Sequence, residues 1–148
     1  MSVVAWDGKT LAADRQATNA DMRVKVSKAM RLQSGSIAAF TGDLEQGLIL
    51  VRWYQDGACR DKWPAFQRSS DWTRLIIADR YDQSSSVVLI YEKEPEPQTF
   101  DERFMAWGSG RDLAMGAMAM GADAKRAVEI ASMYNVYCGG GVDVFDLR

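Results

Sequence analysis

The sequence predicts one α+β domain spanning residues 1–148, and three observations carry that prediction. Apolar runs flank an Asp7-Gly8 pair near the N-terminus, the pairing most favoured in the tight turn of a β-hairpin. Two continuous apolar runs, Leu75-Ile76-Ile77-Ala78 and Val87-Val88-Leu89-Ile90-Tyr91, read as strands covered on both faces. Segments of helical periodicity begin at Leu44 and at Arg111, each after a strand-like segment, and again near Ala122. With 148 residues, 47% of them hydrophobic and 26% charged, the chain is long and apolar enough for one sizeable core. No repeat or linker divides it.

The first hairpin runs Ser2-Val3-Val4-Ala5-Trp6, turns at Asp7-Gly8, and returns through Lys9 to Asp14 before Arg15-Gln16-Ala17-Thr18. A terminus frays unless it is tied into a sheet, and this one is tied at once. The hairpin brings the backbone nitrogen and hydroxyl of Ser2 toward the Asp14 carboxylate. Residues 19–23 are polar and read as a loop. Val24 to Leu32 reads as one strand with Val24, Val26, Lys28, Met30 and Leu32 on a common face. Lys28 is then either an edge lysine reaching to water or a lysine held inside for a purpose. Gln33-Ser34-Gly35 makes a turn, and Ser36 to Phe40 a short strand. Thr41-Gly42-Asp43 leads into a helix from Leu44 to Gln55, with Leu44, Leu48, Val51 and Tyr54 aligned and Asp43 as its N-cap.

Residues 57–71 are interrupted by Pro64, so at most a turn or two of helix fits. We expect an irregular covering loop, with Trp53, Trp63 and Phe66 lying over apolar surface. Trp72 to Asp79 and Ser86 to Lys93 are strands, and Glu94-Pro95-Glu96-Pro97 is a loop. A strand from Phe104 enters Gly108-Ser109-Gly110, followed by a helix from Arg111 to Met120. A further helix opens at Ala122-Asp123-Ala124 and carries Ala127, Val128, Ile130, Ala131 and Tyr134 on one face. Tyr137 to Gly141 is a loose turn before a last strand, Val142 to Leu147.

Composition removes several chemistries. Histidine is absent and Cys59 and Cys138 are the only cysteines, so a Ser-His-Asp triad or a Cys-His pair is excluded. A zinc site is disfavoured for want of ligands, and neither metal nor cofactor is expected. The net charge of −2 gives no sign of a nucleic-acid surface. Apolar runs are too short for a membrane span, and no signal peptide is visible, so a cytoplasmic setting is expected. Any hydrolytic base must come from Lys, Asp, Glu, Tyr or an α-amine.

Residues 1–18 resemble the start of proteasome β-type subunits and of the bacterial HslV peptidase, most closely through Leu11-Ala12-Ala13-Asp14-Arg15-Gln16-Ala17-Thr18. The Lys28 strand, the Gly42 turn and Gly108-Ser109-Gly110 match in the same order, so the resemblance covers most of the chain. It implies a four-layer αββα sandwich of the N-terminal nucleophile hydrolase type, with its second helix reduced. It further implies a threonine-type endopeptidase subunit. Ser2 would be the nucleophile once Met1 is removed, with Asp14 and Lys28 acting on it, Gly42 N–H facing the oxyanion and Ser109 beside the nucleophile. Thr18 and Phe40 would lie on the substrate side. The implied substrate is a peptide or unfolded protein, and the implied partners are further copies in a homo-oligomeric ring and an ATPase unfoldase. The alternative is a catalytically inactive relative serving as a structural or assembly subunit.

Overall fold

The computed structural model describes residues 2–68 and 73–147. Met1 and Trp72, on which two of the expectations above fall, lie outside the described residues. The N-terminal hairpin is built from β1 (Val3–Trp6) and β2 (Thr10–Asp14). Asp7 shapes its turn: Oδ1 accepts the N–H groups of Lys9 and Thr10 at 3.1 and 2.9 Å, and Gly8 takes φ +100°. Next comes a smaller hairpin of β3 (Gln16–Asn19) and β4 (Met22–Lys25). It replaces the loop expected at residues 19–23. Its turn uses Ala20 and Asp21 at φ 48° and 66°, the left-handed pair of a tight hairpin, without the glycine that would have signalled it.

The expected strand from Val24 to Leu32 is in fact two. β4 pairs with β3, whereas β5 (Ala29–Arg31) pairs with β6 (Ile37–Thr41). Lys28 sits at the break, so it shares no continuous strand face with its apolar neighbours. Beyond β6 come α1 (Leu44–Gln55), two 3₁₀ turns (Arg60–Lys62 and Ala65–Arg68), β7 (Arg74–Arg80), β8 (Ser86–Tyr91) and the short β9 (Gln98–Phe100). The chain closes with β10 (Met105–Gly108), α2 (Arg111–Ala119), α3 (Ala124–Tyr134) and β11 (Val142–Asp146). None of the described helices is long and apolar enough to cross a membrane.

Two antiparallel sheets result, in the orders β10-β1-β2-β11 and β5-β6-β7-β8-β9. Strand alternation distributes their side chains among three apolar layers. Val4, Trp6, Leu11 and Ala13 meet Ile37, Ala39, Ile76 and Ile90 between the sheets. Val3, Ala5 and Ala12 point the other way, against Ala114, Ala127, Val128 and Ala131 of α2 and α3. On the far side, Ala38, Phe40, Leu75 and Ile77 pack under Leu50, Val51 and Trp53 of α1. The order of layers is therefore helix, sheet, sheet, helix, a four-layer αββα sandwich.

Among the described residues after α1, up to residue 68, there are two 3₁₀ turns and no α-helix, consistent with the break at Pro64. Trp53 and Trp63 meet edge-on with ring centroids 4.7 Å apart, and Trp53 meets Tyr91 at 5.1 Å. This aromatic cluster covers the sheet where a second helix is missing. The expected face of α1 was rotated: Leu48 is exposed, and Gly47 and Leu50 point inward. Gly47 is inward because Phe40 fills the space beneath it, and a Cβ at Gly47 would overlap the Phe40 ring. Tyr134 likewise lies outside the buried face of α3, which consists of Ala124, Ala127, Val128 and Ala131.

Gly47→Ala is accordingly expected to destabilise the protein by about 1–3 kcal/mol through overpacking. In an unobstructed helix the same change would stabilise by about 1 kcal/mol. Urea denaturation measures the sign, and adding Phe40→Leu should restore part of the loss.

Candidate active site

The site forms where the open end of the N-terminal hairpin meets three other segments. Asp14, the last residue of β2, is fully buried. Its Oδ1 accepts from Val3 N–H at 3.0 Å and from Lys28 Nζ at 2.7 Å. Its Oδ2 accepts from Gln16 N–H at 3.3 Å and from Gly139 N–H at 3.1 Å. These four donors fix the orientation of the Asp14 carboxylate.

Lys28 is 3% exposed, so it does not snorkel. Besides Asp14, its Nζ donates to the Gln16 carbonyl at 2.8 Å. The backbone break between β4 and β5 turns this side chain inward. Its carbonyl accepts from Phe40 N–H at 3.0 Å, which fixes it to β6.

Ser2 precedes β1 and is 1% exposed. Its N–H donates to Ser109 Oγ at 3.1 Å, and Ser109 Oγ donates to the Ser2 carbonyl at 3.3 Å. Gly110 N–H reaches the same carbonyl at 3.2 Å. Gly108 takes φ +96° against Ser2, and a Cβ there would overlap the Ser2 carbonyl. The Gly-Ser-Gly run is thus required by close backbone approach. Ser2 Oγ is buried without a hydrogen-bond partner among the described residues, an uncommon and costly condition for a hydroxyl.

Gly42, at φ +109°, packs on Thr73 at the exit of β6. Gly42, Thr18 and Lys28 border one cavity of about 450 Å³, which also touches Ala17, Val24 and Glu45. Phe40 does not border it. Its side chain is 0% exposed in the layer beneath α1. Only its backbone serves the site, through Lys28.

Four residues were not singled out by the sequence. Gln16 contacts the site three ways: its N–H to Asp14, its carbonyl to Lys28, and its Nε2 to the Val136 carbonyl at 3.1 Å. Asn135 Nδ2 donates to the Ser109 carbonyl at 3.0 Å. Cys138 Sγ lies 3.9 Å from Ser109 Oγ. Burial, and then the Asp14 charge, push the Cys138 thiol above its ordinary pKa. Gly139 supplies one of the donors to Asp14. The signal available was Gly139-Gly140-Gly141, three glycines in a row before the last strand. A Cβ at Gly140 would come within 3.1 Å of the Arg15 carbonyl, so the run marks a close backbone crossing. Among the described residues, no group of three or more His, Cys, Asp or Glu side chains is placed to hold a metal ion.

Lys28→Met is expected to cost about 3–5 kcal/mol, because it leaves the Asp14 charge buried and uncompensated. Combining it with Asp14→Asn should recover part of that loss. Chemical denaturation of the two single variants and the double variant measures the coupling. For the thiols, alkylation by iodoacetamide at pH 8 should label exposed Cys59 quickly and Cys138 slowly. The raised pKa keeps Cys138 in its unreactive neutral form until higher pH, and peptide mass spectrometry over a pH series reads both rates.

No protein-family model matches the chain, and a search of curated proteins returns no match. Solved structures do match. A protein from Thiobacillus denitrificans named BPH is 19% identical, with 99% of this chain and 98% of that one covered at a TM-score of 0.69. The same protein in complex with epoxomicin gives a TM-score of 0.68. The eukaryotic HslV from Trypanosoma brucei is also 19% identical, with 97% of each chain covered at a TM-score of 0.68. What is shared at this identity is the architecture: the chain has the αββα fold of HslV and its proteasome-like structural relatives.

Proposed function

We propose that the chain is a peptidase subunit that cleaves peptide bonds with Ser2, after Met1 is removed, in a cytoplasmic setting. The observation that carries this reading is the buried, unpartnered Ser2 hydroxyl on the residue whose nitrogen meets Ser109. The buried Lys28–Asp14 pair lies one residue away, through Val3. A free α-amine has an ordinary pKa of about 7.7–8.0, and a neighbouring ammonium disfavours a second positive charge. The amine of Ser2 can then accept the proton of its own hydroxyl.

The oxygen attacks the scissile carbonyl carbon, and the carbonyl becomes a tetrahedral oxyanion opposite Gly42 N–H. Its collapse breaks the C–N bond, and the departing amine takes the proton. Water, activated by the same α-amine, hydrolyses the resulting ester. Asp14 orients Lys28, and Ser109 orients the Ser2 nitrogen. Residues 16–19 of β3 flank the cavity, and among the described residues β3 pairs only with β4. Its other edge is available for a substrate strand, with Thr18 on that edge.

Assembly into a homo-oligomeric ring is part of the same reading, as is delivery of unfolded protein by an ATPase unfoldase. Met120, Met133, Tyr134 and Val136 are 89%, 63%, 71% and 68% exposed, which supports burial of the helical side against another subunit. The second reading, a silent assembly subunit, is favoured if Met1 remains, because Ser2 then has a peptide nitrogen and no base of its own.

Intact mass spectrometry of natively expressed protein should show loss of Met1 and, after epoxomicin, one adduct mapping to Ser2. Ser2→Ala should remove both adduct and hydrolysis of fluorogenic peptides. Retained methionine with no adduct supports the silent subunit instead. Sedimentation should show a species many times the 16.5 kDa chain; a stable monomer at micromolar concentration contradicts the ring.

A further inference from the structure

The turn between α3 and β11 meets the site at both of its ends. At the far end Gly139 is tied down through its backbone: its N–H donates to Asp14 Oδ2 at 3.1 Å, and its carbonyl accepts from Arg15 N–H at 2.9 Å. At the near end Asn135 Nδ2 donates to the Ser109 carbonyl at 3.0 Å. Between them Val136 and Tyr137 are 68% and 49% exposed, so packing within the subunit does not hold them. Among the described residues, one hydrogen bond joins residues 136–137 to the fold outside the turn: Gln16 Nε2 donates to the Val136 carbonyl at 3.1 Å. Gln16 is itself 6% exposed. Its Oε1 lies against Gly139, 2.8 Å from where a Cβ would stand.

A buried glutamine that did no more than satisfy one carbonyl would be ordinary. The connections here run further. Val136 follows Asn135, Asn135 holds the Ser109 carbonyl, and Ser109 Oγ accepts from the Ser2 nitrogen at 3.1 Å. Gln16 is also the first residue of β3, and its carbonyl receives Lys28 Nζ at 2.8 Å. We propose that Gln16 is a positioning residue: its side chain clamps the 135–139 turn, and through Asn135 that clamp fixes Ser109 against Ser2. Because the same residue opens β3, the alignment of Ser2 is tied to the strand edge that would receive a substrate segment. The inference rests on the peptidase reading of the site and names what keeps its nucleophile in register. Loosening the clamp leaves the β3 edge in place, so peptide binding persists, while a small misplacement of the reacting oxygen slows the chemistry.

Gln16→Met keeps the length of the side chain and removes the amide, and both backbone bonds of residue 16 remain. With a fluorogenic tripeptide amide as substrate, kcat should fall by about tenfold or more while KM changes by less than about twofold. Asn135→Ala cuts the next link and should give the same split. The double variant should be no slower than the slower single variant, because both act along one path. Fully additive losses, or an unchanged kcat in folded Gln16→Met, overturn the inference. An amide that only supported the turn would lower stability and leave kcat per folded molecule untouched.

Amide hydrogen exchange, followed by NMR, reads the same clamp without turnover. Gly110 N–H donates to the Ser2 carbonyl at 3.2 Å, so its protection reports how firmly Ser2 meets the Gly-Ser-Gly run. In Gln16→Met it should exchange about tenfold faster while the amides of β6, held between β5 and β7, keep their protection. Gln16→Leu, a second replacement without a donor, takes its place where methionine disturbs β6. Equal exchange at Gly110 in wild type and variant overturns the inference, and hydrolysis by the wild type then leaves the peptidase reading in place. Faster exchange at Gly110 in the variant, with no hydrolysis of any peptide by the wild type, supports the clamp and defeats the peptidase reading.

Discussion

A single carboxylate, Asp14, joins segments that are far apart in the chain. It receives hydrogen bonds from β1, from the start of β3, from Lys28 at the β4–β5 break and from the turn before β11. None of these groups can relax independently, because a buried charge stripped of even one donor bears much of its desolvation cost. The position of Ser2 relative to Ser109 is therefore set by the same interaction that holds the two ends of the domain together.

The placement of the site follows from layer geometry. The two sheets pack over residues such as Val4, Leu11, Ile37 and Ile76, and polar side chains are tolerated only at the ends of this sandwich. Ser2, Asp14, Gln16 and Lys28 are all buried at such an end, where each finds a backbone or side-chain partner except for the Ser2 hydroxyl. Among the described residues that hydroxyl has no partner while the groups around it do, a local inconsistency of the kind that sets a position apart from ordinary packing.

Much of this was legible in the residues. Asp7-Gly8 fixed the hairpin, Asp43 and Asp123 marked helix starts, and Pro64 marked the missing helix. The four layers themselves came through resemblance, since periodicity alone yields only α+β. What was not legible depended on contacts distant in sequence. The hairpin at Ala20-Asp21 lacks turn-forming glycine, so local chemistry was silent. The strand through Lys28 looked continuous because alternation cannot reveal a change of partner. The inward turn of Gly47 depends on Phe40, and the N–H of Gly139 meets its partner Asp14 125 residues away in the chain. Such pairings are properties of the packed whole.

The turn of the N-terminal hairpin is fastened to α3 as well as to itself: Asp7 Oδ2 accepts from Ala124 N–H at 2.9 Å. At the opposite end, Arg15 N–H donates to the Gly139 carbonyl at 2.9 Å, just beyond the exit of α3. The helix thus lies along the hairpin as a splint pinned at both tips. Its eleven residues span about 16 Å, and the five of β2 span about 17 Å. The two lengths are commensurate, so neither can drift alone. Lengthening each strand of the hairpin by two residues, the step that keeps side chains on their faces, would add about 7 Å, which more than one further helical turn would be needed to match. Natural variation in this architecture should therefore change strand and helix together, in linked steps, with the distance from Ser2 to Ser109 as the quantity conserved.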